Sequence, residues 1–310
     1  MISQLADFDR WLVENRADFS GEILPAEPLN RHTYYRIGGP AAWMLYPRRV
    51  EDLAWLARAT RETGIERFTL GAGSNLLVSD AGFPGLVVKM GRFDLGIRHD
   101  GSGILETGAS VAVSTLLRRL AQEGLAGMEF ATGVPGSIGG VVVMNAGTHL
   151  GEAKDRCLEV EAWDPAIGDL RVFKGADLQF EYRRNLFLPK SAVVTRVRWQ
   201  VSSSEPAQVK ALIDLTLARR KSTQPVDFPS CGSVFKNPKA HGKHAWQVVD
   251  ELGLRGHRIG QAQISEKHSN FIVNLGQARA DDVRQLIELV KQRALAELGI
   301  PMEEEVMSLG

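Results

Sequence analysis

The stretch that most limits what this chain can build is Gly133–Gly147, GVPGSIGGVVVMNAG. Five of its fifteen residues are glycine and most of the others are small, so it can fill little core volume. What glycine supplies is backbone freedom, positive φ included, and close approach of main-chain N–H groups to a ligand. Successive N–H groups in such a turn form a nest that holds anions. A second stretch, Gly71-Ala72-Gly73-Ser74-Asn75, has the same character and runs on into apolar Leu76-Leu77-Val78. Two such loops are what one large phosphate-bearing cofactor would need. Taken alone, either loop is read equally well as a structural turn.

The common nucleotide signatures do not fit. Neither loop is followed by the Gly-Lys-Ser/Thr of a P-loop. Gly71-Ala72-Gly73 does follow an apolar strand, Phe68–Leu70, but its sixth position is Leu76 and a strand comes next. A Rossmann fingerprint needs a third glycine there and a helix.

A length of 310 residues fits about two domains. Lysine plus arginine equals aspartate plus glutamate at 37 each, so no basic field draws nucleic acid or an anionic membrane. No apolar run is long enough to span a bilayer, and the opening MISQLADFDRWL lacks a secretion-signal profile. Only Cys157 and Cys231 occur, which argues against a disulfide framework and for a reducing, cytoplasmic setting. Neither Cys-x-x-Cys nor His-Glu-x-x-His is present, so no metal site is expected.

Periodicity predicts a short N-terminal helix over 2–13, from Ile2, Leu5, Phe8 and Leu12. It predicts a strand at Ala42–Tyr46 and a helix over Glu51–Thr63 with Leu53, Leu56, Ala57 and Thr60 on one face. Strands follow at Phe68–Leu70 and Leu86–Lys89, giving a small α/β unit that ends near residue 92. A strand at Ile104–Thr107 then precedes a helix marked by Val113, Leu116, Leu117 and Leu120. Beyond the long glycine loop, strands are expected at Leu158–Trp163, Leu170–Phe173 and Ala192–Val201. The last alternates Val193, Thr195, Val197, Trp199 and Val201 against Arg196 and Arg198. Ser202-Ser203-Ser204-Glu205-Pro206 is the best linker candidate. The expected division is therefore 1–204, in lobes of about 1–92 and 93–204, followed by 205–310. The last part carries helices around Val209–Leu217, Ala245–Leu252 and Val283–Val290, and a strand at Phe271–Leu275.

Three polar clusters stand out besides the loops. Glu181-Tyr182-Arg183-Arg184-Asn185 lies between two strands, and alone reads as a solvated loop. Cys231-Gly232-Ser233 offers a positioned hydroxyl or a turn-capping serine. Glu303-Glu304-Glu305-Val306 reads by composition as a solvated tail.

Together these residues carry a resemblance. GAGSNLLVSD, GVPGSIGG with MNAG, EYRRN, PSCGSVFKNP, RIGQAQISEKHSNFIVN and the closing EEEV resemble, in order from about residue 30 to 310, the UDP-N-acetylenolpyruvoylglucosamine reductase family. These are flavoproteins of peptidoglycan precursor synthesis, and through it of cell-wall biogenesis, cell shape and cell division. The compact gap between Tyr182 and Ser233 resembles the shorter subtype, which lacks an inserted tyrosine-bearing loop. The glycine loops are similar to those of the wider vanillyl-alcohol-oxidase-like group.

The resemblance implies an α+β fold. A two-lobed FAD-binding domain of that wider type would precede a C-terminal α+β substrate domain. It implies non-covalent FAD held by Gly71, Ala72, Gly73, Ser74, Asn75 and Leu76 and by Gly133, Val134, Pro135, Gly136, Ser137, Ile138, Gly139, Asn145, Ala146 and Gly147. NADPH would be the co-substrate, and the enolpyruvyl ether of UDP-N-acetylglucosamine would receive the hydride. The enolate left behind needs stabilisation where charge develops. Arg183 would give it, with Glu305 beside it, and Ser233 would protonate the neighbouring carbon. Tyr182, Lys236, Asn237 and His268 would contact the substrate. No metal and no partner other than small molecules is implied, and a monomer is expected.

Two positions depart from the family pattern. Thr223 stands where relatives carry a lysine, so a lysine's part in binding phosphate or nicotinamide falls elsewhere, with Lys221 the nearest candidate. Thr148-His149 follows Asn-Ala-Gly where relatives carry an aromatic residue. His149 raises covalent flavin attachment, against which a loop histidine is the favoured reading. Two other classes stay open, a flavin oxidase of the wider group and a non-catalytic flavin-binding relative.

Overall fold

A computed structural model describes residues 2–94 and 96–310. The chain is α+β and folds as two compact units that interleave along the sequence. The first unit takes the N-terminal stretch through Pro25, then Ala42–Ala72 and Pro84–Ala218. The second takes Ala26–Ala41, Gly73–Phe83 and Arg219–Gly310.

The first unit has two cores. One gathers Phe8, Trp11, Leu45, Leu53, Trp55 and Leu56 between the N-terminal helix Ile2–Asn15, the helix Val50–Thr63 and a sheet. That sheet runs in the order Glu22–Pro28, Pro40–Tyr46, Phe83–Lys89, Arg67–Leu70, and its last pair is parallel. The Val50–Thr63 helix turns Trp55 and Ala59 inward with Leu53 and Leu56, and leaves Ala57 and Thr60 only half-buried. The expected face was thus displaced, because the bulky indole at position 55 claims the core. Ile2 opens the first helix, and its side chain lies outside the described residues.

The other core lies against a five-stranded antiparallel sheet. Its order is Asp169–Lys174, Cys157–Asp164, Val193–Gln200, Ile104–Gly108, Ile97–His99. In Val193–Gln200, Val193, Thr195, Val197 and Trp199 are buried while Arg196 and Arg198 are more exposed, as the alternation predicts; Val194, on the arginine face, is buried as well. Helix Val113–Glu123 buries Val113, Leu116, Leu117 and Leu120, and ends at Gly124 in the left-handed conformation.

The linker expected at Ser202–Pro206 is not one. Ser202 and Ser203 pair with Ala126 and Leu125, and Pro206 begins an 18-residue helix to Thr223. Proline suits a first helical position, because the N–H it lacks has no partner there anyway. As compact units the two meet within that helix, between Ala218 and Arg219. Its inward face is Val209, Ile213 and Thr216, whereas Leu212 and Leu217 are exposed.

The second unit packs helices Ala245–Glu251 and Ala280–Leu298 on the antiparallel strands Arg258–Ile259, Ala262–Ile264 and Ile272–Asn274. Val248, Val249, Val283, Leu286 and Val290 are completely buried there, and Tyr35 and Leu77 join them. Leu76–Val78 pairs in parallel with Met307–Leu309, so the end of the chain is locked beside the residues that follow the first glycine loop.

Candidate functional site

In the first unit the long glycine loop is built around one side chain. Asn145 is completely buried and left-handed, at φ 40°. Its amide donates to Glu152 Oε2 at 2.8 Å and to the Glu181 carbonyl at 2.9 Å, and its oxygen accepts from Lys154 N at 3.0 Å. Asn145 therefore ties the loop to the Phe180–Asn185 hairpin, in which Glu181 pairs with Arg184. Tyr182 and Arg183 are the two residues at the tip. Arg183 has φ 60°, which a turn with positive φ only at its second central residue normally gives to glycine. Its guanidinium reaches the Gly147 carbonyl at 3.4 Å and lies 5.3 Å from the Tyr182 ring centroid. A strained non-glycine residue at a hairpin tip points to function.

In the second unit Ser233 and Glu305 come together. Glu305 N donates to the Val234 carbonyl at 2.8 Å, and Phe235 faces Glu304 as an antiparallel bridge. Asn270, buried, fixes the segment after the serine: its main-chain carbonyl accepts from Val234 N at 2.8 Å, its side-chain oxygen from Phe235 N at 3.0 Å, and its amide donates to the Phe235 carbonyl at 2.9 Å. Asn75, expected only as a cofactor residue, donates to the Glu305 carbonyl at 2.9 Å. The closing acidic run is no solvated tail. Met302 and Val306 are buried, Glu303 pairs with Lys236, and Glu304 pairs with Lys291 at 2.8 Å.

Ser233 is half-buried, on the segment that Asn270 holds. Cys231 does not share its side. Gly232, at φ 83°, turns the chain between them, and the thiol is buried beside Tyr35. Burial, chiefly, pushes the Cys231 pKa up to about 12 and raises that of Tyr35, so both stay neutral at ordinary pH.

The other expected substrate residues stand in the same unit. Asn237 Oδ1 accepts from Ala245 N at 3.0 Å and so caps a helix with half of its amide. His268 rests edge-on against Phe271, 4.9 Å between centroids, and burial lowers its pKa, which keeps it neutral. Lys221 and Thr223 are exposed, and the Thr223 hydroxyl donates to the Arg219 carbonyl at 2.9 Å. Arg220 beside them is half-buried next to Tyr34. His149 lies in an exposed turn between Thr148 and Gly151.

Both loops suit a diphosphate. Among the described residues the main-chain N–H groups of Ala72, Gly73 and Ser74, and of Gly136 and Ser137, donate to no protein acceptor. Such runs are anion nests. Gly73, at φ 69°, brings its backbone so near His32 that a Cβ would stand 2.1 Å from the His32 carbonyl oxygen. No other residue fits there. Not all of the expected contacts are available, however. Ile138 N and Gly139 N are already given to the Val111 and Ala109 carbonyls.

Comparison with known proteins places these features. Residues 41–173 match the FAD binding domain family, so the chain is an FAD-binding flavoprotein. Residues 224–309 match the C-terminal domain of UDP-N-acetylenolpyruvoylglucosamine reductase. Relatives of that name from Heliobacterium modesticaldum and Synechococcus sp. (strain CC9311) are 41% and 39% identical. Each alignment covers 94% of this chain, and 92% and 94% of the respective relative. The crystal structure of UDP-N-acetylenolpyruvylglucosamine reductase from Thermus caldophilus is similar at a TM-score of 0.78 and 36% identity, covering 94% of this chain and 99% of that one. The chain belongs to the UDP-N-acetylenolpyruvoylglucosamine reductase family and is a flavin oxidoreductase.

Among the described residues no helix is long and apolar enough to cross a membrane, and no group of histidine, cysteine and carboxylate side chains could hold a metal ion. Asn270 was missed in the sequence. The signal lay in the quoted SEKHSN block, where the histidine drew attention and the asparagine did the positioning.

Proposed function

We propose that this chain reduces the enolpyruvyl ether of UDP-N-acetylglucosamine to UDP-N-acetylmuramate with NADPH, in peptidoglycan precursor synthesis. The observation that supports the reading is the main-chain bond from Glu305 N to the Val234 carbonyl, which joins the segment carrying Ser233 to the segment carrying Glu305. Residues 1–204 are read as the FAD-binding part and 205–310 as the substrate part, with Gly73–Phe83 serving the cofactor although it folds with the second unit.

Bound FAD supplies hydride transfer between NADPH and the substrate. The chain's own residues do the rest. Arg183 offers a planar, permanently charged fork to the carboxylate and the developing enolate. The left-handed turn fixes the base of its side chain. Ser233 donates a proton to the adjacent carbon; a serine hydroxyl is a weak acid, and it serves because an enolate carbon is strongly basic and the geometry is fixed. Glu305 polarises the group. Tyr182, Lys236, the free half of Asn237 and neutral His268 hold the substrate.

FAD is proposed to be bound without a covalent link, since His149 lies in an exposed turn and both cysteines are buried. The two reduced cysteines and the use of NADPH fit a cytoplasmic protein. A monomer is proposed because one chain carries every residue assigned to the reaction, and sedimentation as a dimer counts against it.

Anaerobic titration tests the whole reading. NADPH should bleach the flavin, and the enolpyruvyl sugar nucleotide should restore the colour with one equivalent consumed. Colour restored only by oxygen would make this an oxidase. Acid precipitation should leave the yellow colour in the supernatant, and a yellow pellet contradicts the non-covalent reading.

A further inference from the structure

Lys89 ends the otherwise apolar strand Phe83–Lys89, and nothing in the reaction above uses it. Parallel pairing sets Lys89 opposite Leu70, one residue before the first glycine loop. Its ammonium donates to the Gly71 carbonyl at 2.7 Å. Gly71 itself comes so close to the second loop that a Cβ on it would lie 2.8 Å from Ser137 Oγ. All three residues belong to the first unit, so one cation sits where its two glycine-rich segments approach each other.

That cation is poorly compensated. Burial lowers its pKa to about 8, and no carboxylate offsets the loss of water. A desolvated ammonium held only by a carbonyl is unfavourable, and a nearby anion reverses this.

We propose that Lys89 is a positioning residue for the FAD diphosphate: it fixes the Gly71 carbonyl, and with it the start of the first loop, and it supplies the positive charge that a bound diphosphate meets there. The proposal rests on the reading that the glycine-rich loops hold FAD. A neutral, unbranched side chain one heavy atom shorter, Lys89→Met, keeps the packing of the stem and removes the charge. Lys89→Arg keeps the charge.

The experiment is titration of the apoprotein with FAD, followed by flavin fluorescence, together with the melting temperature of each apoprotein. Ser137→Asp, which sets a carboxylate in the second loop, serves as the control for the loops. Lys89→Met should weaken FAD about tenfold or more, the worth of a charge-assisted hydrogen bond. Its apoprotein should melt no lower than the parent, and Lys89→Arg should recover most of the affinity. Parental affinity in Lys89→Met alongside a large loss in Ser137→Asp overturns the role of Lys89 and leaves the loops standing. Parental affinity in both variants overturns the loop reading itself. A lower apoprotein melting temperature in Lys89→Met, with Lys89→Arg no better, makes the lysine merely structural and also overturns the proposal.

Discussion

The hairpin that carries Arg183 and the bridged segments that carry Ser233 and Glu305 hold the proposed functional side chains by opposite means. Arg183 sits at the tip of a two-rung hairpin, in a backbone conformation its residue type disfavours, and one buried asparagine amide anchors that hairpin to the glycine loop. Ser233 and Glu305 sit on two segments joined by main-chain bonds and an isolated bridge, clamped by Asn270 and backed by a core of completely buried valines. The first arrangement depends on a few side chains, and the second on main-chain bonds and packing. Substitutions in the second unit should therefore separate chemistry from stability, whereas some in the first unit should lose both.

The largest effect tests the second unit. In Ser233→Ala, flavin bleaching by NADPH should be near the parent's, and reoxidation by substrate should fall about 10²–10⁴-fold, the usual worth of general acid help. The melting temperature should hardly move, because the side chain is only half-buried and loses a single hydroxyl. Ser233→Cys should lose less, since a thiol is also a donor. Cys231 should not stand in, being buried on the far side of the Gly232 turn. Reoxidation at the parent's rate in Ser233→Ala would leave the hydroxyl as a turn cap.

The next effect falls on the hairpin tip. Arg183→Ala should keep its flavin and be reduced normally by NADPH, then fail in the second half-reaction by about 10²–10³-fold, as for loss of one donor to a developing oxyanion. Flavin lost on purification would show that the arginine serves cofactor retention. Asn145→Ala comes third and should not separate the two properties. It removes three hydrogen bonds from a completely buried position and asks alanine to adopt φ 40°, at a cost of about 3 kcal/mol. Chemical denaturation and FAD titration should both register it; unchanged FAD affinity would show that the loop holds its shape without the hairpin.

The same contrast decides how much could be read from the sequence. Strands with one buried face were plain, as in Val193–Gln200, because a period of two survives any tertiary context. The quoted motifs are what single out Arg183, Ser233 and Glu305 for the proposed roles. Interleaving was not legible: nothing local in Leu76–Val78 says that its partner is Met307–Leu309, more than two hundred residues later. The linker at Ser202–Pro206 failed for a related reason, since serine and proline mark an exposed turn only when no strand edge is near, and Leu125–Ala126 is. Asn270 and Asn145 were passed over or given another task because a buried asparagine and a solvated one have the same composition. Only the bonds they make tell them apart.

The smallest effect is the sharpest test of the comparison, because it asks whether strain is concentrated at the tip. A β-carbon in the left-handed region clashes with its own backbone, at about 1 kcal/mol. Arg183→Ala keeps that penalty while deleting the guanidinium and its contacts with Gly147 and the Tyr182 ring. Arg183→Gly deletes the same groups and removes the penalty as well. Glycine has a more flexible unfolded chain, which offsets part of the gain. The glycine variant should therefore be more stable than the alanine variant by about 0.5–1 kcal/mol, read as a difference in denaturation midpoint at unchanged slope. Both should be equally slow in the second half-reaction. No counterpart is expected in the second unit, where Glu305 has no positive φ and glycine in its place should cost stability. If Arg183→Gly proves no more stable than Arg183→Ala, the turn relaxes without strain, and the arginine is positioned by its contacts and not by its backbone.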